Sequence, residues 1–270
     1  MTQINYLSLK TLSAKVYSRS SSHNLSLVAA GVAFYAFLSV FPALATVVSI
    51  YGLLADAETV QQNINQIGGL VPPDVKSILT ARLQDIASNQ QSSLTVGLIL
   101  GVVVSLWSAN KAMKATAQAL NVAFDENEDR SFMVLNLVTL SLTLVSSIVV
   151  IIALSTIVFL PLVISTVLSL VSVKLLTAFV SWAVLILLLT GMFLVFYRYA
   201  PSRGHRPVFI RSLPGALFST VLFVLASMAF SFYVSNFGKF DEQYGTIGAV
   251  VVTMLWLYMG SFIFLLGAEI

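Results

Sequence analysis

Long apolar stretches separated by short polar segments dominate the chain. The last of them runs from Thr246 to Ala268 without a charged residue. At about 1.5 Å per residue, a helix of this length crosses a hydrocarbon layer of about 30 Å. Similar stretches precede it at 27–54, 94–108, 133–160, 175–197 and 213–235. The pattern predicts an all-α, polytopic membrane protein in which residues 27–270 form six transmembrane helices, accompanied by short interfacial or amphipathic helices.

The first 26 residues differ from this pattern. They contain no acid, and their cationic side chains and histidine are Lys10, Lys15, Arg19 and His23. Apolar residues recur among them as a rough stripe. Residues 1–26 are therefore predicted to be a basic amphipathic segment on the cytoplasmic side, which either lies on an anionic membrane surface or serves as an ordinary leader. A secretory signal peptide is disfavoured, because the polar region before the first apolar run is too long.

Polar residues recur on one face of two predicted spans. Tyr35, Ser39 and Pro42 follow one another at steps of three or four residues, and Pro42 predicts a kink because it lacks an N–H. Asn136 begins a similar face in the third span. These faces either line a groove or hold hydroxyls that bond back to their own helix. With the polar turn before the last span, the candidate pathway residues are Tyr35, Ser39, Pro42, Asn136, Tyr233, Asn236, Tyr244, Gly245 and Trp256.

Four arginines without an acid lie between the fourth and fifth spans: Arg198, Arg203, Arg206 and Arg211. Positive charge of this density indicates a cytoplasmic loop. The loop either reflects the positive-inside rule alone or contacts an anionic headgroup or amphipathic substrate through these four side chains.

Charge also predicts the direction of the spans. With the N-terminus inside, inner segments hold ten of the 14 Lys and Arg residues: Lys10, Lys15, Arg19, Lys111, Lys114, Arg130, Arg198, Arg203, Arg206 and Arg211. The outer segments hold Lys76, Arg82, Lys174 and Lys239. Both termini are therefore predicted to be cytoplasmic.

Composition excludes several classes of protein. Hydrophobic residues make up 58% of the chain and charged residues 9%, whereas about a quarter of a soluble domain is charged. A dispersed net charge of +3 does not indicate nucleic-acid binding. The chain has no cysteine, which excludes disulfides and thiolate metal sites. The GxxxG motif from Gly97 to Gly101 favours packing within the monomer, with a homo-oligomer as the alternative.

The spans contain no visible nucleophile with a base and no acid pair. The acids Asp125, Glu126, Glu128 and Asp129 cluster in one loop, where such groups are usually solvated rather than bound to a metal. We therefore expect no catalytic residue, no metal, no cofactor and no enzymatic activity.

Several segments together resemble the YihY/BrkB family of bacterial inner-membrane proteins. They are AAGVAFYAFLSVFP from Ala29, LWSANKAMKATAQALNVAF with the downstream Arg130, LPGA from Leu213, YVSNFGKFDEQYGTIGAVVVTMLWLY from Tyr233, and LLGAEI from Leu265. The resemblance covers nearly the whole chain in the same order and implies a six-helix, multi-pass protein of the bacterial inner membrane. It also implies the family's old label, ribonuclease BN. That label is disfavoured, because metal-dependent RNA hydrolysis needs clustered His and carboxylate ligands and this chain has only two histidines.

Two functions follow from these observations. The first is a transporter or a translocase for lipid or envelope precursors, with a hydroxyl-lined groove and membrane lipids as its partners. The resemblance implies the same direction, since related proteins are linked to envelope lipid export. The second is a non-transporting scaffold or assembly factor of the cell envelope.

Overall fold

The computed structural model describes residues 9–54, 91–167, 173–203, 209–237 and 248–270. Arg206, Tyr244 and Gly245 lie outside these ranges, as does the side chain of Pro42. The described parts are helical and contain no strand. In chain order the helices are α1 (Leu9–Ser22), α2 (Leu25–Leu54), α3 (Gln91–Ala123), α4 (Phe132–Val167), α5 (Val173–Tyr199), α6 (Phe209–Phe237) and α7 (Gly248–Ala268).

Four stretches of these helices are long and apolar enough to cross a membrane: Phe132–Ala153, Phe179–Tyr199, Arg211–Asn236 and Gly248–Ala268. The pair formed by α1 and α2, bent by 64° at its break, gives a fifth candidate. The all-helical membrane fold predicted from the sequence is thus confirmed. Four or five candidate spans within the described residues are fewer than the six that were predicted.

The break between α1 and α2 lies at Asn24, whose φ is 50°. Asn is one of the few residues that tolerate this left-handed conformation. The helices resume at once, because the Asn24 carbonyl accepts hydrogen bonds from the backbone N–H groups of Leu27 and Val28. One residue therefore redirects the chain between the polar α1 and the apolar α2.

The chain divides into two compact units. The first comprises Met1–Ala33, Met113–Gly238 and Leu255–Ile270, and the second comprises Phe34–Ala112 and Lys239–Met254. In the first unit α5 packs against both α4 and α6. Its core combines small, aliphatic and aromatic side chains, including Ala117, Leu120, Phe193, Tyr197 and Phe264.

The helices α6 and α7 of the first unit cross at two glycines. A Cβ atom at Gly215 would collide with the carbonyl oxygen of Gly267, and one at Gly267 would collide with the Ser219 hydroxyl. Tyr197 from α5 closes the crossing, because its hydroxyl lies 2.9 Å from Ser219 Oγ and donates to the Phe264 carbonyl at 2.5 Å. In lipid, close backbone approach of this kind replaces the hydrophobic force that holds helices together in water.

The outer surface of α4 is apolar. Leu137, Leu144, Ile148 and Ile151 recur along one side of the helix, and each has more than half of its side chain exposed. Soluble proteins rarely expose contiguous apolar surface of this kind. The surface fits a helix that faces lipid.

Candidate functional site

An ionic cluster joins the N-terminal helix to the C-terminal end of α7. Arg19 Nε lies 2.6 Å from Glu269 Oε2, and Arg19 Nη2 lies 3.0 Å from Asp125 Oδ2. The same Nη2 donates to the Ala123 carbonyl at 3.3 Å. The side chain of Glu269 is fully buried, so its charge depends on these partners rather than on water.

His23 completes the ionic cluster of Arg19, His23, Asp125 and Glu269. Its Nδ1 lies 2.6 Å from Glu269 Oε1, and its Nε2 lies 2.9 Å from Asp125 Oδ1. Each ring nitrogen of His23 thus faces one carboxylate, so the imidazole joins Asp125 to Glu269.

The loop that follows α3 supplies one carboxylate of this cluster. The backbone of Asp125 has a φ of 55°, a conformation in which Asp is enriched. The N–H of Phe124 still bonds to the Leu120 carbonyl, and the N–H of Asp125 to the Val122 carbonyl. The helix thus ends where the carboxylate of Asp125 faces α1.

A second set of contacts attaches this loop to the segment after α5. Asn121 is buried; its Oδ1 accepts from the Ser202 N–H at 2.7 Å, and its Nδ2 donates to Glu128 Oε2 at 2.9 Å. Arg130 binds Glu128 from Nε and Nη2, both at 2.6 Å, and donates to the Ala200 carbonyl. The hydrogen bonds from Arg130 keep the pKa of Glu128 below its ordinary value.

These contacts bring four parts of the first unit to one end. Arg19 of α1, Asp125 of the loop after α3 and Glu269 after α7 meet in the ionic cluster, while Asn121 and Arg130 hold the segment after α5. The start of α4 at Phe132 and the end of α5 at Tyr199 therefore lie at this same end.

A cavity of about 380 Å³ opens beside the ionic cluster. Three arginines, Arg19, Arg203 and Arg211, line it together with one carboxylate, Glu269. The rest of the lining is small, aromatic or aliphatic: Phe124, Tyr197, Ser212, Gly215, Gly267, Ala268 and Ile270. This cationic cavity is thus lined in part by Gly215 and Gly267, the two glycines of the α6–α7 crossing.

Arg203 of the cationic cavity contacts one aromatic ring and one carboxylate. Its guanidinium carbon lies 3.6 Å from the centroid of the Phe124 ring, and its Nε lies 3.6 Å from Glu126 Oε1. Burial lowers the pKa of Arg203, and the charge of Glu126 acts in the opposite direction. The Nε is buried and has no hydrogen-bond partner in the part of the chain that the structure describes. An acceptor in the cavity would remove this deficit.

The four arginines predicted to contact a headgroup have different positions. Arg203 and Arg211 line the cationic cavity, whereas Arg198 lies with its guanidinium 5.5 Å from the Tyr199 ring. Arg206 falls outside the described residues. The third arginine of the cavity, Arg19, was missed by sequence reasoning, because it belongs to a segment far away along the chain.

The predicted pathway residues that the structure describes belong to both compact units. Tyr35 and Ser39 belong to the second unit, where the Ser39 hydroxyl donates to the Ala36 carbonyl. In the first unit, the Asn136 side chain donates to the Phe132 carbonyl of α4, and the Asn236 side chain donates to the Phe232 carbonyl of α6. Tyr233 is half exposed, and the Trp256 indole N–H donates to Ser227 Oγ at 3.3 Å.

Most hydroxyls of α4 bond to their own helix. The hydroxyls of Thr139, Thr143, Ser146 and Ser147 each donate to the carbonyl four residues earlier, at 2.7–2.9 Å. Between helices, Thr190 Oγ1 donates to Thr220 Oγ1 at 3.1 Å. Of the two interpretations of the polar faces, the contacts of α4 therefore favour back-bonding.

Comparison with known proteins adds the family. The profile of the virulence factor BrkB family matches residues 16–270 of the chain. The chain belongs to the virulence factor BrkB family. The family expected from the sequence motifs is thereby confirmed.

Relatives of this BrkB-family chain include two that match over most of its length. The putative ribonuclease-like protein YfkH of Bacillus subtilis strain 168 is 29% identical over 260 residues, which cover 95% of the chain and 92% of YfkH. A UPF0761 membrane protein of Aeromonas salmonicida strain A449 is 26% identical over 268 residues, covering 94% of the chain and 85% of that protein. No solved structure matches the chain.

A third relative matches locally. The UPF0761 membrane protein of Chlorobium luteolum strain DSM 273 is 38% identical over 77 residues, which cover 28% of the chain and 18% of that protein. The membrane-protein names of these relatives agree with the apolar helices. The ribonuclease-like name belongs to YfkH, and the described residues of this chain contain no group of three His, Asp or Glu side chains suited to hold a metal ion.

Proposed function

We propose that this BrkB-family protein translocates an anionic lipid or envelope precursor across the bacterial inner membrane. The observation that carries the proposal is the cationic cavity, in which Arg19, Arg203 and Arg211 meet at one end of the first unit. Guanidinium groups recognise anionic oxygens with directed hydrogen bonds. Positive charge at the end of a helical bundle also attracts anionic lipids.

The proposal includes six spans with both termini in the cytoplasm. The end of the first unit that holds α1 also holds the loop after α3, the segment after α5 and the end of α7. A chain that returns to one side at each of these points crosses an even number of times between them. The excess of Lys and Arg in the same segments favours the cytoplasm as that side.

A hydroxyl-lined groove remains the proposed path for the headgroup. The hydroxyls of α4 already donate their hydrogen bonds to their own helix. Such hydroxyls still offer oxygen lone pairs. The cationic cavity is therefore the stronger support, as a binding site from which translocation starts.

The alternative is a non-transporting scaffold or assembly factor of the cell envelope. The close α6–α7 crossing and the internally satisfied hydroxyls favour it, since both are typical of a rigid helical framework. Crosslinking and pull-down from native membranes test it. A stoichiometric envelope partner, together with no lipid movement in the assay below, would support the scaffold.

Reconstitution into liposomes tests translocation directly. Vesicles carry an anionic lipid with a fluorescent headgroup, and a membrane-impermeant quencher reports the fraction that remains inside. We expect the wild-type protein to scramble the lipid and the Arg211→Gln variant to scramble it several-fold more slowly. Lys15 is exposed and lies outside the cationic cavity, so Lys15→Gln is the matched control and keeps the wild-type rate.

Equal quenching in protein-free and protein-containing vesicles would contradict translocation.

We also propose that the protein is not a nuclease. Incubation of the purified protein with transfer RNA and a divalent metal should leave the RNA intact. Nuclease activity that co-purifies with the protein would contradict this expectation.

A further inference from the structure

Two arginines of the cationic cavity, Arg203 and Arg211, have donors without an acceptor among the residues that the structure describes. Arg203 Nε is buried without a hydrogen-bond acceptor among the described residues, and its 3.6 Å separation from Glu126 is too long for a hydrogen bond. The guanidinium carbon of Arg203 lies 3.6 Å from the centroid of the Phe124 ring, so the ring covers one side of this group. Arg211 is exposed at the start of α6, with no ion-pair partner in the described part of the chain.

The third arginine is already engaged. Arg19 Nε donates a hydrogen bond to Glu269, and its Nη2 donates to Asp125 and to the Ala123 carbonyl. These two carboxylates offset the charge of Arg19, so Arg203 and Arg211 supply the directed hydrogen bonds to a ligand.

The positions of Arg203 and Arg211 distinguish between a phosphate and a carboxylate as the ligand. Arg203 follows the end of α5 and Arg211 lies in the first turn of α6, so two guanidinium groups approach the cavity from separate segments. A tetrahedral phosphate presents acceptor oxygens in several directions at once, whereas the two oxygens of a carboxylate lie in one plane and are taken by one arginine. The arrangement favours phosphate over carboxylate.

The volume of the cationic cavity indicates which part of a lipid it can hold. Its volume of about 380 Å³ lies near the lower end of the 300–1,000 Å³ typical of small-molecule sites. It accommodates a headgroup but not acyl chains as well. Leu213 and Leu217 follow Arg211 on α6 and are exposed, which provides apolar surface for a chain next to the headgroup.

We propose that the cationic cavity binds the phosphate group of a lipid headgroup, held by Arg203 and Arg211. This inference rests on the proposed function for its setting, because it names the chemical class of the anion that the same site takes. A free phosphate ion offers the same chemistry, and the ligands of the experiment distinguish the two sources.

Binding to the full chain in detergent micelles tests the proposal. The ligands are dihexanoyl phosphatidic acid, inorganic phosphate and decanoate, a carboxylate with an acyl chain. We expect phosphatidic acid to bind at least tenfold more tightly than either of the others. Removal of one charge-assisted hydrogen bond costs about a factor of ten or more in affinity, so Arg211→Gln should weaken phosphatidic acid binding by that factor.

Two further variants sharpen the result. Arg203→Lys keeps the charge but loses the planar donors, and we expect it to weaken phosphatidic acid binding about as much as Arg211→Gln does. Lys15→Gln should bind like the wild type. Wild-type affinity in both arginine variants, or equal binding of decanoate, would overturn the phosphate site. Equal affinity for inorganic phosphate would overturn the lipid headgroup as its source.

The failure of this inference is distinguishable from failure of the proposed function. If phosphatidic acid binds as expected but no lipid is scrambled in vesicles, the phosphate site stands and translocation is wrong. If lipid is scrambled at the wild-type rate by both arginine variants, translocation stands and the phosphate site is wrong.

Discussion

Single residues at helix ends decide where the charged groups of this protein meet. Asn24 and Asp125 both adopt positive φ angles, and these two turns place His23 and the Asp125 carboxylate in the ionic cluster. A β-branched residue at either position would be strained, because its Cβ crowds the backbone there. The position of the cluster thus follows from two residues that tolerate the left-handed region.

Arg19 is predicted to stabilise the folded chain through the ionic cluster. Arg19→Gln removes the arginine partner of the fully buried Glu269 and leaves His23 beside it. We expect the free energy of unfolding to fall by about 2 kcal/mol, less than for a fully buried pair because Arg19 is partly exposed. Unfolding by SDS in mild detergent, followed by tryptophan fluorescence, measures the change.

The control for this prediction is Lys15→Gln on the same helix. Lys15 is exposed, so the free energy of unfolding should change by no more than about 0.5 kcal/mol. An equal loss in the two variants would show that the ionic cluster contributes nothing to stability.

At the scale of elements, backbone approach rather than apolar pattern determines how α6 and α7 pack. Gly215 and Gly267 bring the two backbones together, and Tyr197 links them through the Ser219 hydroxyl and the Phe264 carbonyl. Because the glycine positions have no Cβ, the polar groups come within hydrogen-bonding distance. The crossing also forms part of the cationic cavity, so its packing affects the shape of that cavity.

Gly267→Ala is predicted to disturb this crossing. Its Cβ would meet the Ser219 hydroxyl and the Gly215 carbonyl, and forced overpacking of this kind typically costs about 1–3 kcal/mol. The matched control is Gly191→Ala on α5, where no atom lies within 4 Å of the added Cβ. The control should be neutral or slightly stabilising, since Ala favours the helix.

Thermal unfolding of the two alanine variants in the same detergent compares them. The prediction requires a lower midpoint for Gly267→Ala alone. Coincident midpoints for both variants and the wild type would mean that the α6–α7 backbones have room to separate.

At the scale of the whole molecule, the return of the chain to one end of the first unit gives a testable topology. Reporter fusions after Glu126, within the segment after α5 near Arg203, and after Ile270 should all indicate the cytoplasm. Alkaline phosphatase should be inactive at these three sites and green fluorescent protein fluorescent. Phosphatase activity at any one of them would contradict six spans with both termini inside.

Much of the architecture follows from the sequence. Runs of apolar residues encode helices locally, and their length against the hydrocarbon thickness identifies lipid as the solvent. The positive charge between α5 and α6 was equally visible, including Arg203 and Arg211. These features need only neighbouring residues, so no tertiary information is required.

The ionic cluster could not be found in this way. Glu269 directly follows the last predicted span, and it binds Arg19 and His23, which lie 250 and 246 residues earlier. No local periodicity relates such residues, because their meeting depends on how α1 and α7 pack. The polar face of α4 was ambiguous for a similar reason, since a hydroxyl can bond to its own helix or point into a groove.

The sequence by itself therefore determined the solvent, the helices and where positive charge lies along the chain, because each depends on residues close together in sequence. Tertiary structure alone decided that Arg19, Arg203 and Arg211 share one cavity and that Gly215 meets Gly267. Both arrangements arise when distant helices pack, and the free energy of that packing is distributed over contacts that no single segment contains.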